Sequence, residues 1–332
     1  MQPDRQQELQ AWVAAALKLA AVSLEPASAD ASFRRYFRTS DGRRSYIVMD
    51  APPPQEDCRP FVRIAGLLKE AGVHVPTVQA EDLQRGFLLL EDLGTQTYLD
   101  VLDETNAEQL FGDAIAALIL WQRASRGGVL PAYDRALLHR ELMLFPEWYV
   151  TRHLKLELTA MELMTLQDAF KRLEDSALAQ PQVYVHRDYM PRNLMLSEPN
   201  PGVLDFQDAV FGPITYDVVC LFRDAFISWP ETRVREWLLK YRDAARQAGL
   251  PLPADQREFQ RAADWMGIQR HLKVIGIFAR ISYRDGKPQY IKDAPRFLNY
   301  LHEIGHLYKE FTPLLKLLDS LEKRASQAVS AS

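Results

Sequence analysis

The chain has 332 residues, of which 47% are hydrophobic and 25% charged, and this composition excludes a disordered or fibrous protein. Its 40 basic and 44 acidic residues give a formal net charge of -4, so we expect no nucleic-acid partner. The two cysteines, Cys58 and Cys220, fit neither a disulfide framework nor a metal-ligand spacing, which indicates a reducing compartment.

The N-terminus carries no sign of a targeting segment. It begins MQPDRQQELQ, which is charged where a signal peptide would be apolar. Elsewhere no apolar run approaches the length of a membrane span. We therefore expect a soluble, cytoplasmic protein without a membrane partner; the sequence gives no indication of protein partners.

The first part of the chain alternates between helical and strand patterns. The stretch DRQQELQAWVAAALKLA has apolar residues at helical spacing and predicts an amphipathic helix. The next stretch alternates apolar and polar residues on either side of Asp41 and Gly42, which predicts a hairpin. A second helix, stopped by Gly72, precedes two further strands around Arg85 and Gly86. The last of these strands contains FLLL and is predicted to be buried.

After the sequence EDLG, helical patterns dominate to the C-terminus. This change predicts an α+β fold with a small strand-rich lobe over residues 1–94, a hinge near residues 91–94, and a larger helical lobe over residues 95–332. Two short apolar strands interrupt the helical part, in VYVHRDYMPRNLML and GVLDFQDAVFG, and we expect them to form a short hairpin within the helical lobe.

The interrupting motif holds the residues that phosphoryl transfer needs. Asp188 lies five residues before Asn193, and Asp205 follows about a dozen residues later. A kinase site uses one carboxylate to receive the acceptor proton and an Asp and an Asn to hold metal ions, in the order H-R-D-x-x-x-x-N and then D-F-x. Any one of these residues alone would be typical of a turn. The set in this order predicts a kinase-like site.

The same motif carries a family resemblance. The stretches VHRDYMPRNLML and GVLDFQDAVFGPITYDVVCLFRD resemble the aminoglycoside phosphotransferase and choline kinase superfamily, whose fold is bilobal and protein-kinase-like. More narrowly, DASFRRYFR, MDAPPP, LLLEDLG, HRDYMPRNLM and DFQDAVFGPITYDV are similar to bacterial kinases that phosphorylate N-acetylmuramate and N-acetylglucosamine at the anomeric hydroxyl during cell-wall recycling. The resemblance implies ATP and Mg²⁺ as cofactors and a small amino sugar as substrate.

The resemblance also implies roles for individual residues. Asp188 would be the catalytic base, and Asn193 and Asp205 would be magnesium ligands. Asp217, in TYDVV, would be a buried acceptor that ties the catalytic loop to the helix behind it. We expect His186 to brace the loop rather than to transfer protons, since a His beside a strand end is usually a structural residue. The first lobe would bind the nucleotide, and the second would hold the catalytic and acceptor sites.

The loop expected to cover the phosphates departs from the kinase pattern. No G-x-G-x-x-G is present, and the corresponding stretch reads SADASFRRYFR. Backbone N–H groups near Phe33 and the Ser32 hydroxyl could cradle the phosphates, with Arg34 or Arg35 supplying positive charge. The alternative is that these arginines line a solvated hairpin face.

Four further residues concern the nucleotide and the metal. The strand SYIVMDAPP has Met49 where a kinase has its phosphate-binding lysine, which is the main argument for a non-catalytic pseudokinase. Gln207, in DFQ, could bring an amide oxygen to the metal. In LLLEDLG, backbone groups of Glu91 and Leu93 are expected to meet the edge of the adenine base.

The acceptor needs polar and aromatic groups near Asp188, and an N-acetylmuramate acceptor also needs a cation for its lactyl carboxylate. For each candidate the alternative is a solvated or structural role. Among the candidates, Arg223 and Arg270 are the two that we most expect to contact the acceptor, because each is flanked by apolar residues that would draw it toward the cleft. The candidates are Glu147, Trp148, Arg223, Asp224, Gln269 and Arg270.

The leading hypothesis is therefore an ATP-dependent amino-sugar kinase. One alternative keeps the fold and changes the acceptor to an aminoglycoside, choline or another alcohol. The other is a nucleotide-binding pseudokinase without turnover.

Overall fold

The computed structural model describes residues 3–29 and 33–330. The strands of this part of the chain are β1 (Glu25–Ala29), β2 (Arg35–Ser40), β3 (Ser45–Asp50), β4 (Val78–Asp82), β5 (Phe87–Glu91), β6 (Gln182–Val185), β7 (Leu194–Met195), β8 (Gly202–Val203) and β9 (Val210–Pro213). The α-helices are α1 (Pro3–Leu17), α2 (Arg59–Glu70), α3 (Tyr98–Val101), α4 (Ala107–Arg123), α5 (Arg135–Leu142), α6 (Ala160–Ala179), α7 (Tyr216–Phe222), α8 (Glu231–Gln247), α9 (Gln256–Arg284), α10 (Ala294–Gly305) and α11 (Thr312–Ser330). A five-stranded antiparallel sheet followed by a mostly helical chain confirms the predicted α+β class.

Two compact units make up the chain, and the first consists of residues 1–121 and 191–209. Its sheet has the strand order β1-β2-β3-β5-β4. Apolar side chains of α1, Leu9 and Val13, pack with Phe37, Val48 and Phe87 of the strands. The opening helix, the hairpin around Asp41 and Gly42, the second helix and the buried FLLL strand are all confirmed. Alternating apolar side chains on β2 and β3 give the sheet the apolar face that α1 covers.

The turn between β4 and β5 requires glycine. Gly86 has a φ of 72°, and a Cβ at this position would lie 1.9 Å from the carbonyl oxygen of Ala51. The Ala51 N–H donates to the Gly86 carbonyl oxygen at 2.8 Å. This close approach fixes the turn beside the end of β3, which carries Met49 and Asp50.

The second unit consists of residues 122–190 and 210–332 and is built around α9. This helix has 29 residues, so it is about 43 Å long. Gly276 lets it pass directly against the π-helix Phe145–His153, because a Cβ there would lie 2.4 Å from the carbonyl carbon of Leu144. The same helix brings Arg270 and Lys273 into the buried interior.

The predicted single hairpin around the central motif is wrong. β6 pairs with β9, and β7 pairs with β8, so the motif lies across two separate strand pairs. Arg187 has a φ of 77°, and a one-turn 3-10 helix follows at Pro191–Asn193. The chain therefore changes direction before β7 and cannot continue as the partner strand of β6.

Backbone hydrogen bonds place the β7–β8 hairpin in the first unit rather than in the helical part. The Leu196 N–H donates to the Gln96 carbonyl oxygen at 2.9 Å, and the Val203 N–H donates to the His74 carbonyl oxygen at 2.8 Å. The first unit also continues beyond Gly94, through α3 and most of α4. The hinge predicted near residues 91–94, between lobes over residues 1–94 and 95–332, stays a prediction. The two compact units are instead divided after residues 121, 190 and 209.

Within residues 3–29 and 33–330, no helix has both the length and the apolar character that crossing a membrane requires.

Candidate active site

The loop that contains Asp188 is held by a buried carboxylate. Asp217, at the start of α7, accepts hydrogen bonds from the backbone N–H groups of His186 at 2.7 Å and Arg187 at 3.0 Å. The buried ring of His186 accepts the Asp188 N–H at its Nδ1 atom, at 3.3 Å, which assigns the proton of that ring to Nε2. Asp217 and His186 thus hold the backbone on both sides of Arg187, in the manner that the predicted bracing roles require.

Burial raises the pKa of Asp217 to about 7. The two backbone N–H groups that it accepts favour its ionised form, but they offset the loss of water only in part. The negative charge of Asp188 adds to the rise. Asp217 therefore titrates near neutral pH while it holds the loop.

A second buried carboxylate, Glu141 on α5, was missed by the sequence analysis. It accepts hydrogen bonds from Tyr133 and Arg187, and its Oε1 lies 3.0 Å from the ammonium nitrogen of Lys273. Lys273 also donates to the hydroxyl of Tyr216 at 2.8 Å. Burial opposes ionisation of Glu141, but the charges of Lys273 and Arg187 outweigh it and hold the pKa of this carboxyl below its ordinary value.

Glu141 therefore fixes the side chain of the residue that precedes Asp188. Nothing in the local sequence marks this role, because Glu141 lies on an ordinary helical pattern 46 residues before Arg187. The role of Glu141 becomes visible only when the folded structure shows that it pairs with charged residues distant in sequence.

The residues predicted to hold magnesium meet in the first unit. The Leu204 N–H donates to the Asn193 carbonyl oxygen at 2.9 Å, which brings the segments after β8 and before β7 together. As a result the amide nitrogen of Asn193 lies 3.4 Å from one carboxylate oxygen of Asp205. Asp205 has a φ of 63°, a conformation that Asp and Asn tolerate better than most residues. Carboxylate and amide oxygens are hard donors, so this pair fits a magnesium ion that also binds nucleotide phosphates.

Gln207 also contacts Asp205. Its amide nitrogen donates to the other carboxylate oxygen of Asp205 at 2.7 Å, and a contact of the Gln207 amide oxygen with the metal stays a prediction. In this geometry Gln207 orients Asp205, since an amide that donates to a ligating carboxylate fixes its direction.

The arginines before β2 differ in what they contact, and Ser32 lies outside the described residues. Arg35 pairs with Asp50, a fully buried carboxylate that also accepts from Arg5 at 2.7 Å. Arg34 lies 3.5 Å from Glu56, whose carboxylate also accepts the Phe33 N–H at 3.1 Å. Arg35 is therefore committed to the sheet, which leaves Arg34 as the candidate for phosphate binding.

Met49, at the position of the missing lysine, and Phe206, next to the predicted metal ligand Asp205, are both buried. Met49 is fully buried on β3. Phe206, which follows Asp205, packs its ring against Phe61 of α2 with 4.7 Å between ring centroids. This contact connects the metal-ligand segment to the helix next to the sheet.

In the predicted hinge, a salt bridge holds the segment after β5. Arg38 donates to both carboxylate oxygens of Asp92, at 2.6 and 3.0 Å, and to the Gly94 carbonyl oxygen at 2.9 Å. The Glu91 N–H already donates to the Thr77 carbonyl oxygen at 2.9 Å, so a contact of Glu91 with the adenine edge through its carbonyl group stays a prediction. The N–H of the buried Leu93 makes no hydrogen bond to any residue of the described chain, and its contact with adenine also stays a prediction.

Among the acceptor candidates, the two arginines that we expected most are engaged in the interior. Arg223 is 1% exposed and forms ion pairs at 2.7 Å with both Glu231 and Asp264. Arg270 is also buried and donates to the Arg223 carbonyl oxygen at 3.0 Å. We expected their apolar neighbours to draw them toward the cleft, whereas both lie in the interior and Arg223 is already neutralised by two acids, so it has no charge left for a substrate anion.

The other acceptor candidates fall into two groups. Glu147 is exposed, and Trp148 packs against the apolar core of the second unit. Asp224 and Gln269 are fully buried, and within the described residues one carboxylate oxygen of Asp224 and both polar atoms of the Gln269 amide have no hydrogen-bond partner. Burial raises the pKa of Asp224, with the Phe226 N–H opposing. Buried polar atoms without partners are unusual, and they keep Asp224 and Gln269 as candidates for a polar ligand.

Known proteins place the chain in a family. Residues 23–259 match the phosphotransferase enzyme family, and the chain belongs to it. It is 62% identical over 302 residues, 91% of this chain and 89% of the relative, to a Pseudomonas aeruginosa protein named N-acetylmuramate/N-acetylglucosamine kinase. A Neisseria meningitidis protein of the same name is 48% identical over 324 residues, 96% of both chains.

Solved structures show the same fold at low sequence identity. The choline kinase LicA from Streptococcus pneumoniae has a TM-score of 0.62 at 15% identity and covers 90% of this chain and 99% of its own. The ADP-bound aminoglycoside phosphotransferase APH(2'')-Ib has a TM-score of 0.58 at 16% identity, with 92% and 99% coverage. The protein-kinase-like fold that the motifs implied is thereby confirmed.

Proposed function

We propose that this protein is an ATP- and magnesium-dependent kinase that phosphorylates the anomeric hydroxyl of N-acetylmuramate and N-acetylglucosamine. The observation that carries the proposal is 48 to 62% identity, over 91 to 96% of this chain, to three relatives with that substrate pair in their name. We place the reaction in the recycling of cell-wall sugars, as the motif resemblance implies, and in the cytoplasm, because ATP is the proposed donor.

Asp188 is the proposed general base. A hemiacetal hydroxyl is more acidic than an ordinary alcohol, so a carboxylate is a sufficient base for it. Asp217, His186 and Glu141 hold the backbone and the Arg187 side chain beside Asp188 before any substrate binds. Preorganisation of this kind lowers the cost of aligning the base with the hydroxyl.

Charges within the second unit surround the proposed base. Asp188 acts electrostatically on the buried Arg270 and Lys273, which shows that both cations lie near it. Positive groups fixed near a carboxylate favour its ionised form, which is the form that can accept the proton of the sugar hydroxyl. Because both side chains are already buried, they need no reorganisation during the reaction.

The first unit is proposed to hold the donor. Asn193 and Asp205 would hold magnesium, with Gln207 orienting Asp205, and the ion would neutralise charge on the transferred phosphoryl group. The Leu93 N–H would meet the adenine edge. Arg34, held by Glu56, would contact the phosphates in place of the missing strand lysine, since a guanidinium suits phosphate oxygens.

Phosphorus NMR tests the proposal directly. The protein is incubated with ATP and Mg²⁺ and with N-acetylmuramate, N-acetylglucosamine, choline or kanamycin. We expect an anomeric phosphate with both amino sugars, which its chemical shift and coupling distinguish from an ordinary phosphate ester. Transfer only to choline or kanamycin would overturn the acceptor, and nucleotide binding without any transfer would support the pseudokinase instead.

A further inference from the structure

An N-acetylmuramate acceptor carries a lactyl carboxylate, and the structure points to a cation that is available to bind it. Arg280 lies on α9, is half-buried, and has a buried Nε atom without a hydrogen-bond partner. It makes no direct hydrogen bond or ion pair to any residue in the described part of the chain. A half-buried guanidinium without an anion is unfavourable, because it loses water and gains nothing in return.

The two acids that act on Arg280 are already committed elsewhere. Asp285 accepts two hydrogen bonds from Arg284, at 2.6 and 2.9 Å. Glu141 accepts from Tyr133 and Arg187 and pairs with Lys273. Among residues 3–29 and 33–330, Arg280 thus has no counter-ion of its own.

The electrostatics of Arg280 agree with this geometry. Burial lowers the pKa of Arg280 below its ordinary value, and the positive charge of Arg284 lowers it further. Asp285 and Glu141 oppose the change but do not reverse it. A bound carboxylate would relieve this penalty.

Arg280 also lies on the side of α9 that faces the proposed catalytic groups. It follows Lys273 by seven residues, which is two helical turns and about 10.5 Å along the axis, so the two share one face. Arginine side chains on a helix lean toward its N-terminus, which for Arg280 is toward Lys273. Lys273 lies within the electrostatic reach of Asp188. A sugar whose anomeric hydroxyl is at Asp188 would extend its ring substituents along this face.

We propose that Arg280 binds the lactyl carboxylate of N-acetylmuramate and sets the preference of the enzyme between its two sugars. The inference rests on the proposed function. N-acetylglucosamine has a hydroxyl where the lactyl ether stands, so it makes no ion pair with Arg280, and the guanidinium stays with water.

The test compares both sugars in the full-length enzyme. In Arg280→Met we expect kcat/KM for N-acetylmuramate, divided by kcat/KM for N-acetylglucosamine, to fall about tenfold or more, through KM for N-acetylmuramate. The matched control is Arg261→Met, which removes the same charge near the other end of α9. Because Arg261 is 48% exposed and paired with Glu310, its ratio should stay within about twofold of the wild type.

A change in the substrate gives an independent readout that does not depend on the stability of the variant. N-acetylmuramate with its lactyl carboxylate converted to the amide should be a poorer substrate for the wild type by a similar factor. In Arg280→Met the acid and the amide should be equivalent, and Arg280→Lys should recover part of the preference for the acid. An acid-to-amide preference that survives in Arg280→Met would overturn the inference while the proposed function stands. Failure of the wild type to phosphorylate either sugar would overturn the proposed function itself.

Discussion

The two compact units bury charge in different ways. In the first, the fully buried Asp50 pairs with Arg5 and Arg35, whose side chains keep 23% and 31% of their surface exposed. In the second, both members of the main pairs are buried, as in Lys273 with Glu141, at 8% and 6% exposed, and Arg223 with Asp264, at 1% each. Cations that keep contact with water stay partly solvated, whereas cations fixed in the interior preorganise their neighbours. The difference is consistent with the proposal that the second unit positions the base.

The largest expected effect separates the chemical step from donor binding. Asp188→Asn should lower kcat by about 10² to 10⁴, because the general base is lost, and should leave nucleotide affinity within about twofold. Asp205→Asn, which keeps a residue type tolerated at a φ of 63°, should instead weaken nucleotide binding only when Mg²⁺ is present. Titration of a fluorescent nucleotide with and without Mg²⁺, beside steady-state kinetics, measures both. Loss of nucleotide binding in Asp188→Asn would contradict this division of roles.

The next prediction tests the difference in buried charge. Glu141→Gln should lower the free energy of unfolding by about 3 to 5 kcal/mol, since the buried Lys273 and the partly buried Arg187 would both lose the negative charge of Glu141. Asp50→Asn should cost about 2 kcal/mol, because water still reaches Arg5 and Arg35. Urea unfolding measures both free energies. A larger decrease in Asp50→Asn than in Glu141→Gln would contradict the expectation that buried charge matters more in the second unit.

A smaller effect concerns the two neighbouring arginines of the first unit. Arg34→Met should raise KM for ATP about tenfold, which corresponds to one charge-assisted contact with phosphate. Arg35→Met is the matched control and should change KM for ATP by less than threefold, because Asp50 already holds that side chain. Steady-state kinetics with ATP as the varied substrate give the answer. Equal effects of the two substitutions on KM for ATP would contradict the proposal that Arg34 takes the place of the strand lysine.

A further prediction is a dependence of stability on pH. Asp217 has a pKa of about 7 in the folded protein, against an ordinary value of 3.8, so the unfolded chain releases this proton first as the pH rises. Its contribution to the free energy of unfolding should therefore fall between about pH 4 and pH 7. The stability of the wild type relative to Asp217→Asn should decrease over that window in urea unfolding. The exposed Asp168, replaced by Asn, provides the control, and a difference that is flat with pH would contradict the shift.

Local patterns allowed much of the first unit to be predicted. Alternation of apolar residues and the turn at Asp41 and Gly42 specify the hairpin, and both depend on residues close together in sequence. The order of Asp188, Asn193 and Asp205 was readable for the same reason. Pairing of β6 with β9 was not, because the positive φ of Arg187 that redirects the chain has no signature in its residue type.

Long-range charge pairing set the limit of prediction for the candidate site. The apolar neighbours of Arg223 led us to expect it in the cleft, because its partner Asp264 lies 41 residues away on another helix and gives no local signal. Arg280 was not singled out, because its significance depends on Asp285 and Glu141 being occupied by other residues. Whether Arg280 is available to bind an anion depends on the folded chain and cannot be read from any single segment of the sequence.

The position of Glu141 has an evolutionary consequence. One carboxylate serves Tyr133, Arg187 and Lys273, so replacing it removes an acceptor from all three groups in a single step. Replacing any one of those three groups alone removes a hydrogen bond or an ion pair from the buried carboxylate of Glu141. Among divergent relatives we therefore expect these four positions to be exchanged together or retained together, so that they behave as one inherited character.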